Sequence, residues 1–330
     1  MKVQLPGGMK TPTIPVSANM IGGLGFAIAI LGPFLLTEVQ TRTATMLVFA
    51  IAIASAYNII GGITGYPSFG HVVFLGVGAY SSAILYSEFG VEWWMTVPLG
   101  GVAALLLSVP LGPILLRLKG HYFAIATLAL HLAVQQYIGA FPFLGGGRGW
   151  FVPTQLSFDV YYWVFLTLAA LIVGINLLLS RSQVGTALRG IGKNEPRAKT
   201  LAIPTSWYKN ISWNMSTFLL GVVGVFYGNL LGFIDQASVL SLTITLDMIM
   251  YGIVGGMGTV WGPVLGAVIL MPMEEFVWAN YIDFHLLLKG FLIIAFVLYF
   301  PKGLIYYVRL AVGRFQQDEP SEKTASLGED

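Results

Sequence analysis

The chain has 330 residues, of which 56% are apolar and only 10% charged, with a net charge of +2 and no cysteine. Charge falls far below the roughly 25% of a soluble domain, which leaves no room for a large soluble body and points to a polytopic membrane protein. The absence of cysteine excludes disulfides, thiol catalysis and cysteine-ligated metals, and the near-neutral balance without a lysine-rich, aromatic-interleaved patch argues against a nucleic-acid partner.

Residues 1–19 hold Lys2, Lys10 and three prolines and then run into apolar sequence without a small-residue cleavage site. They are expected to form a cytoplasmic segment ahead of a retained first helix. Apolar runs broken by polar residues predict ten crossings, near 20–36, 44–60, 72–86, 95–116, 122–141, 161–179, 211–233, 240–254, 260–271 and 286–300. The expected fold is thus an all-α polytopic membrane protein with a permease domain over 20–312 and a polar, disordered tail over 313–330. With the amino terminus inside, Lys and Arg collect on the cytoplasmic side, at Arg117, Lys119, Arg181, Arg189, Lys193, Arg197, Lys199, Lys209, Lys302 and Arg309. The other side carries mainly acids, among them Glu38, Glu88, Asp159, Asp235 and Glu274, a parity that needs an even number of crossings and puts both termini inside.

Two glycine-broken stretches echo each other, GGITGYPSFGHVVFLGVGAY from Gly61 and GIVGGMGTVWGPVLGAV from Gly252, consistent with two parallel structural repeats. The pairs Gly61/Gly65, Gly228/Gly232, Gly252/Gly256, Gly258/Gly262 and Gly262/Gly266 place small residues on single helix faces, where backbones approach closely. Interrupted helices at membrane depth survive only where protein or a watery cavity satisfies their backbone, so some of these turns are candidates for lining a path. Asn58, Thr64, Tyr66, Ser68 and His71 cluster at the first interruption, and Asp247 and Tyr251 precede the second. Asp247 is an acid inside an apolar crossing, a functional candidate by its cost, though a residue near the outer interface is simply hydrated. His131 and Gln135 share a helix face and suit an interhelical hydrogen bond or a polar path. The four histidines have no metal spacing, and no metal is expected.

Between Arg181 and Lys209 the sequence turns abruptly polar and basic. This island, 181–209, reads as an aqueous loop. Asn194 is placed to cap a short helix from Glu195, with Pro196 tolerated in its first turn, Ala198, Leu201 and Ala202 on one face, and Pro204 ending it. Such a helix lies on the membrane surface or inserts into the groove of a partner. No phosphate-binding loop is present, because Gly192-Lys193 is followed by Asn194, and no serine elbow or paired catalytic carboxylates appear. An enzyme is not expected.

The segment from Asn58 to Tyr80, the corner Leu116-Arg117-Leu118-Lys119-Gly120-His121-Tyr122-Phe123, the loop from Ser182 to Ile203 and the run Gly255-Gly256-Met257-Gly258-Thr259 through Gly262-Pro263 to Gly266-Ala267 stand in order along most of the chain. Together they resemble the LivM-type permease of branched-chain amino acid ABC importers. The resemblance implies a bacterial inner-membrane permease subunit working with a LivH-like sister permease, two ABC ATPase subunits that bind the ATP and Mg, and a solute-binding protein, with no cofactor in this chain. It carries the ATPase-coupling helix onto Glu195, Pro196, Arg197, Ala198, Leu201, Ala202 and Ile203. The candidate translocation path is Asn58, Tyr66, Ser68, His71, Asp247 and Tyr251. The solute is expected to be a branched-chain or related amino acid; urea, short amides and small carboxylates are alternatives. The rival class is a self-sufficient channel or an ion-coupled carrier in which Asp247 is the coupling acid.

Overall fold

The computed structural model of the chain describes residues 37–152, 156–280, 285–299 and 303–307, with Phe26 and Ala29. The first predicted crossing, 20–36, apart from those two residues, and the segments 1–19 and 313–330 lie outside the described residues. Within them the chain is helical, as its composition demands. The helices are α1 (Glu38–Asn58), α2 (Val72–Phe89), α3 (Trp93–Leu115), α4 (His121–Ala140), α5 (Phe158–Arg181), α6 (Gln183–Lys193), α7 (Glu195–Thr200), α8 (Thr205–Leu231), α9 (Gln236–Val239), α10 (Leu242–Gly255), α11 (Gly262–Asn280) and α12 (His285–Tyr299). Seven helical spans among the described residues are long and apolar enough to cross a membrane.

Burial sorts these spans. The apolar window of α1 is 83% buried and that of α4 only 22%, so α1 runs through the middle of the bundle and α4 along its edge. Around α1 stand α5, α8, α10 and α11. Phe49 of α1 stacks on Tyr227 of α8 at 4.6 Å between centroids and meets Phe165 of α5 edge-on at 5.4 Å. Against the other side of α8 lie α2 and α3, joined through small residues: Gly221 faces Gly78, Gly100, Gly101 and Ala104, while Gly224 and Gly228 face the backbone at Leu75 and Ala79. Among helices in lipid, where apolar side chains gain little by leaving the tails, such close backbone approach supplies the packing.

Helix α8 has 27 residues and spans about 40 Å at 1.5 Å per residue, which defines two ends for the bundle. At its Leu231 end, Trp150–Phe151 pairs antiparallel with Phe233–Ile234. At its Thr205 end lie α6, α7 and the corner after α3. The predicted seventh crossing, 211–233, starts earlier than expected: α8 begins at Thr205 and takes in Lys209, which is 3% exposed. A lysine inside a span contradicts a simple hydropathy reading, and its neutralisation by Glu195, described below, is the reason. The predicted ninth crossing, 260–271, likewise extends to Asn280, carrying Pro272, Glu274 and Glu275 within it.

Candidate coupling and translocation site

Helix α1 does not end cleanly. After Asn58 it widens into a π-helical turn, Ile59–Ile63, and the chain then runs without regular helix to Val72. Gly61 and Gly62 leave the space that the Tyr57 ring and the Asn58 amide with Gly258 N occupy, where a methyl would clash, and π-turns of this kind concentrate at functional sites. Six of the backbone N–H groups in and just after the break find protein acceptors. Thr64 N donates to Ile59 O and Tyr66 N to Ile60 O. Ser68 N donates to the Tyr57 hydroxyl at 3.0 Å, Phe69 N to Thr127 Oγ1 at 3.0 Å, Gly70 N to Ser68 Oγ at 3.3 Å and Val72 N to Thr245 Oγ1 at 3.2 Å. The break therefore survives in an apolar setting because α1, α4 and α10 supply the bonds that water would otherwise make.

Asn58 clasps the first break to the second. Its Oδ1 accepts from Gly258 N at 2.9 Å, and its Nδ2 donates to Thr259 O at 2.9 Å and to Asn176 Oδ1 at 3.3 Å. Asn176 in turn donates to Ser55 O at 3.0 Å and Ile172 O at 2.9 Å, so α1, α5 and the α10–α11 turn share one network. Gly258 has φ +77°, and a methyl there would stand 3.0 Å from Gly62 O. The left-handed backbone and the close approach both require glycine at this point. The two glycine-rich interruptions singled out in the sequence are thus in direct contact.

His71 sits at the foot of α2, fully buried among Tyr57, Phe74 and Trp213, with ring centroids 5.1 to 5.8 Å away. Its Nε2 lies 3.1 Å from Ser216 Oγ, whose own proton goes to Ala56 O at 2.8 Å. Because a hydroxyl has a single hydrogen, this assigns the imidazole proton to Nε2. Ser68 and His71 are therefore positioned by α1 and α8 and covered within the chain.

Tyr66 leads to the third cluster. Its hydroxyl donates to Glu195 Oε2 at 2.6 Å and accepts from Lys209 Nζ at 2.9 Å. Lys209 also donates to Glu195 Oε1 at 3.1 Å and to Leu116 O, at the end of α3, at 2.7 Å. Thr205 Oγ1 donates to Glu195 at 3.2 Å, and Lys199 and Lys119 face it at 3.5 and 4.0 Å from the exposed side. Burial by itself raises the Glu195 carboxyl. Hydrogen bonds from Tyr66 and Lys209 and the charges of Lys209 and Lys119 outweigh it and hold the group at about 2. Burial, then the hydrogen bond and charge of Glu195, push the Tyr66 phenol well above its ordinary range, which keeps it a neutral donor. Glu195 is an anion under all physiological conditions, and its partners are a lysine and a phenol that keeps its proton.

Helix α7 follows the sequence expectation at its start: Asn194 Oδ1 accepts from Arg197 N at 3.0 Å, with Pro196 in the first turn. The shared face expected for Ala198, Leu201 and Ala202 is not formed. Glu195 and Ala198 point inward, whereas Leu201 is 54% exposed and Ala202 is also exposed. The helix closes at Thr200 and Ala202 takes a left-handed φ of 56°, which swings these last residues outward. Pro196, Arg197 and Lys199 are exposed and Ile203 is half-buried.

At the other candidate positions, Asp247 lies one turn before Tyr251 on α10, half-buried and within electrostatic reach of Tyr227 and Tyr251. Tyr251 is buried and donates to Glu274 Oε2 on α11 at 2.8 Å. His131 Nε2 donates to Leu240 O at 2.7 Å, tying α4 to the connection between α9 and α10. The structure brings Asn58, Tyr66, Ser68 and His71 together along one break and leaves Asp247 and Tyr251 on the neighbouring α10. Lys209, Asn176, Ser216, Gly258, Thr259 and Glu274 belong to the same networks and were not singled out as site residues.

Comparison with known proteins agrees with this architecture. Residues 39–297 match the family described as branched-chain amino acid transport system, permease component. The high-affinity branched-chain amino acid transport system permease protein LivM of Salmonella typhimurium is 24% identical over 86% of this chain and 73% of its own length. Its Escherichia coli namesake is 23% identical over the same shares. The probable branched-chain amino acid transport permease protein LivH of Methanocaldococcus jannaschii is 26% identical over 65% of this chain and 72% of its own length. A multi-pass helical membrane protein with this match belongs to the branched-chain amino acid transport permease family, and within it to the LivM type.

Proposed function

We propose that the chain is one permease subunit of an ATP-driven importer that passes branched-chain or chemically related amino acids inward across a bacterial inner membrane. Separate ATPase subunits bind ATP and Mg and dock on α6 and α7; a LivH-like sister permease completes the path, and a solute-binding protein delivers the solute from outside. Both termini and the Thr205 end of α8 face the cytoplasm. The observation that carries this reading is the two-sided character of α7. Its outer side offers Arg197, Lys199 and the exposed Leu201, with Trp207 nearby at 59% exposure, while its inner side is fixed to the bundle. An apolar knob ringed by cations suits a partner groove with an apolar floor and acidic rim.

Contact with the ATPase is assigned to Pro196, Arg197, Leu201 and Ala202, with Glu195, Ala198 and Ile203 supporting them from below. Asn58, Tyr66, Ser68 and His71, all buried, hold the break in place from behind the path, and Asp247 with Tyr251 bounds it on the α10 side. The test is co-purification with the ATPase subunits and leucine uptake by the reconstituted complex. Leu201→Glu, which sets an anion against an acidic rim, is expected to abolish both. Uptake by the wild-type chain without any ATPase would refute the reading and favour a carrier.

A further inference from the structure

The Glu195 cluster does more than anchor a loop, because of what each of its members belongs to. Glu195 is the first residue of α7, the helix whose outer side is assigned above to the ATPase. Tyr66 lies three residues beyond the π-turn, in the break itself, and its backbone N–H is bonded to Ile60 O. Lys209 is on the first turns of α8 and holds Leu116 O, the last carbonyl region of α3, so it is tied to two packed spans at once. We propose that Tyr66, Glu195 and Lys209 are positioning residues that carry a displacement of α7 into the break between α1 and α2, with Lys209 as the fixed point against which Glu195 and Tyr66 move. This rests on the reading of α7 as the ATPase contact.

Three further observations bear on it. First, the link is short and directional: a buried 2.6 Å bond from a phenol to a carboxylate is charge-assisted, and its strength depends on alignment. Second, a parallel backbone contact keeps the two segments from sliding past each other. A methyl on Gly192, at the end of α6, would stand 3.0 to 3.1 Å from Thr64 O and Ile63 O, and one on Gly65 3.1 Å from Gly192 Cα. The linker before α7 and the break are thus pressed together with no side chain between them. Third, the break leads on into the bundle. From the level of Lys209 to that of Ser216 on α8 is about 10 Å at 1.5 Å per residue, and the chain from Tyr66 to His71 covers that interval. At the near end of the break, Asn58 passes the connection to Gly258 and Thr259 of the second interruption. A loop needing only an anchor is held as well by apolar packing, without the desolvation cost of a buried ion pair. The polar link joins the short helix assigned to the partner to the interrupted span beside it.

The test uses the complete complex, with sister permease, ATPases and binding protein, in proteoliposomes, measuring leucine moved per ATP hydrolysed. Tyr66→Phe keeps the edge contact of the ring with Phe123, 5.2 Å between centroids, and removes only the hydroxyl. The ATPase subunits are expected to co-purify and hydrolyse ATP while leucine moved per ATP falls about tenfold, the scale of a coupling free energy between sites. A wild-type ratio in Tyr66→Phe overturns the link. If Tyr66→Phe does not assemble, the Glu195→Gln/Lys209→Met pair, uncharged and similar in volume, is put through the same measurement and its ratio decides in the same way. A second readout uses the absence of native cysteine: a cysteine at the exposed Pro67 is expected to change its maleimide labelling rate when nucleotide is added, and to lose that response in the Tyr66→Phe background. An unaltered response there also overturns the link. A wild-type chain that binds no ATPase instead overturns the function assigned above, which separates the two failures.

Discussion

Replacing Glu195 with Gln isolates what the buried ion pair contributes to the fold. The carboxyl is held at about 2 against an ordinary 4.5, and a difference of that size corresponds to at most about 3 kcal/mol of folded-state stability at neutral pH. Its sign follows from the direction of the change. A depressed carboxyl stabilises the fold fully above 4.5, and the contribution is lost as pH falls from 4.5 through about 2. Glu195→Gln removes it at every pH and leaves the Lys209 ammonium buried with only Tyr66 and Leu116 O as acceptors, a defect costing about 3–5 kcal/mol where one partner of a buried pair is deleted. Equilibrium unfolding in bicelles, followed by steric trapping, measures this. Glu195→Gln is expected to be about 3 kcal/mol less stable than wild type at pH 7, with the gap closing as pH is lowered from 4.5 toward 2. Adding Lys209→Met should restore stability to within about 1 kcal/mol of wild type, because no charge is then left buried without a partner and the uncharged Gln amide still accepts from Tyr66 and Thr205. Equal stability of Glu195→Gln and wild type at pH 7, or a gap that does not narrow in acid, would refute the reasoning.

Three other substitutions probe the remaining contacts. Asn58→Leu strips Gly258 N, Thr259 O and Asn176 Oδ1 of a partner and should cost about 2–4 kcal/mol, read by the same unfolding assay; a loss under about 1 kcal/mol would show that the clasp is not needed. Gly258→Ala forces an L side chain into φ +77° and against Gly62 O, at a cost of about 1–2 kcal/mol, and a neutral result would mean the turn adopts another backbone. Leu201→Glu, on an exposed side chain, should leave stability within about 0.5 kcal/mol while removing the ATPase from the purified complex; a destabilised chain would instead make Leu201 part of the core.

The seven spans found among the described residues were legible because each is a long apolar run, and three of them have a marked stop. Gly90 and Gly232, both in the left-handed region, end α2 and α8, and Phe141 in extended backbone ends α4. The short helix at Glu195 was legible too, since Asn194 and Pro196 are local signals whose meaning depends on neighbours three residues away. The misplaced start of α8 has a different cause. Hydropathy counts Lys209 as a charge that must be wet, and this holds only while the charge is unpaired. Pairing with Glu195, 14 residues earlier, removes the objection, and no sum over a window contains that information.

The same limit governs the site. Asn58, Tyr66, Ser68 and His71 were identified because polar residues beside a glycine break are conspicuous in an apolar run, but their partners are not near them in sequence. Tyr66 meets Glu195 across 129 residues, His71 meets Ser216 across 145 and Asn58 meets Gly258 across 200. Which side of α7 faces inward was undecidable from periodicity. Glutamate reads as the wetter choice and Leu201 as the drier, yet Glu195 is 8% exposed and Leu201 54%. The inversion is physically consistent. Three lysines and a phenol around Glu195 make burial of that carboxylate affordable, whereas six helical residues followed by a left-handed turn give Leu201 nothing to pack against within the chain. The buried charge holds the inner face of α7 to the bundle, whereas the exposed Leu201 is a feature that the isolated chain gains nothing from, and it is explained when the outer face of α7 has its own partner, as proposed above.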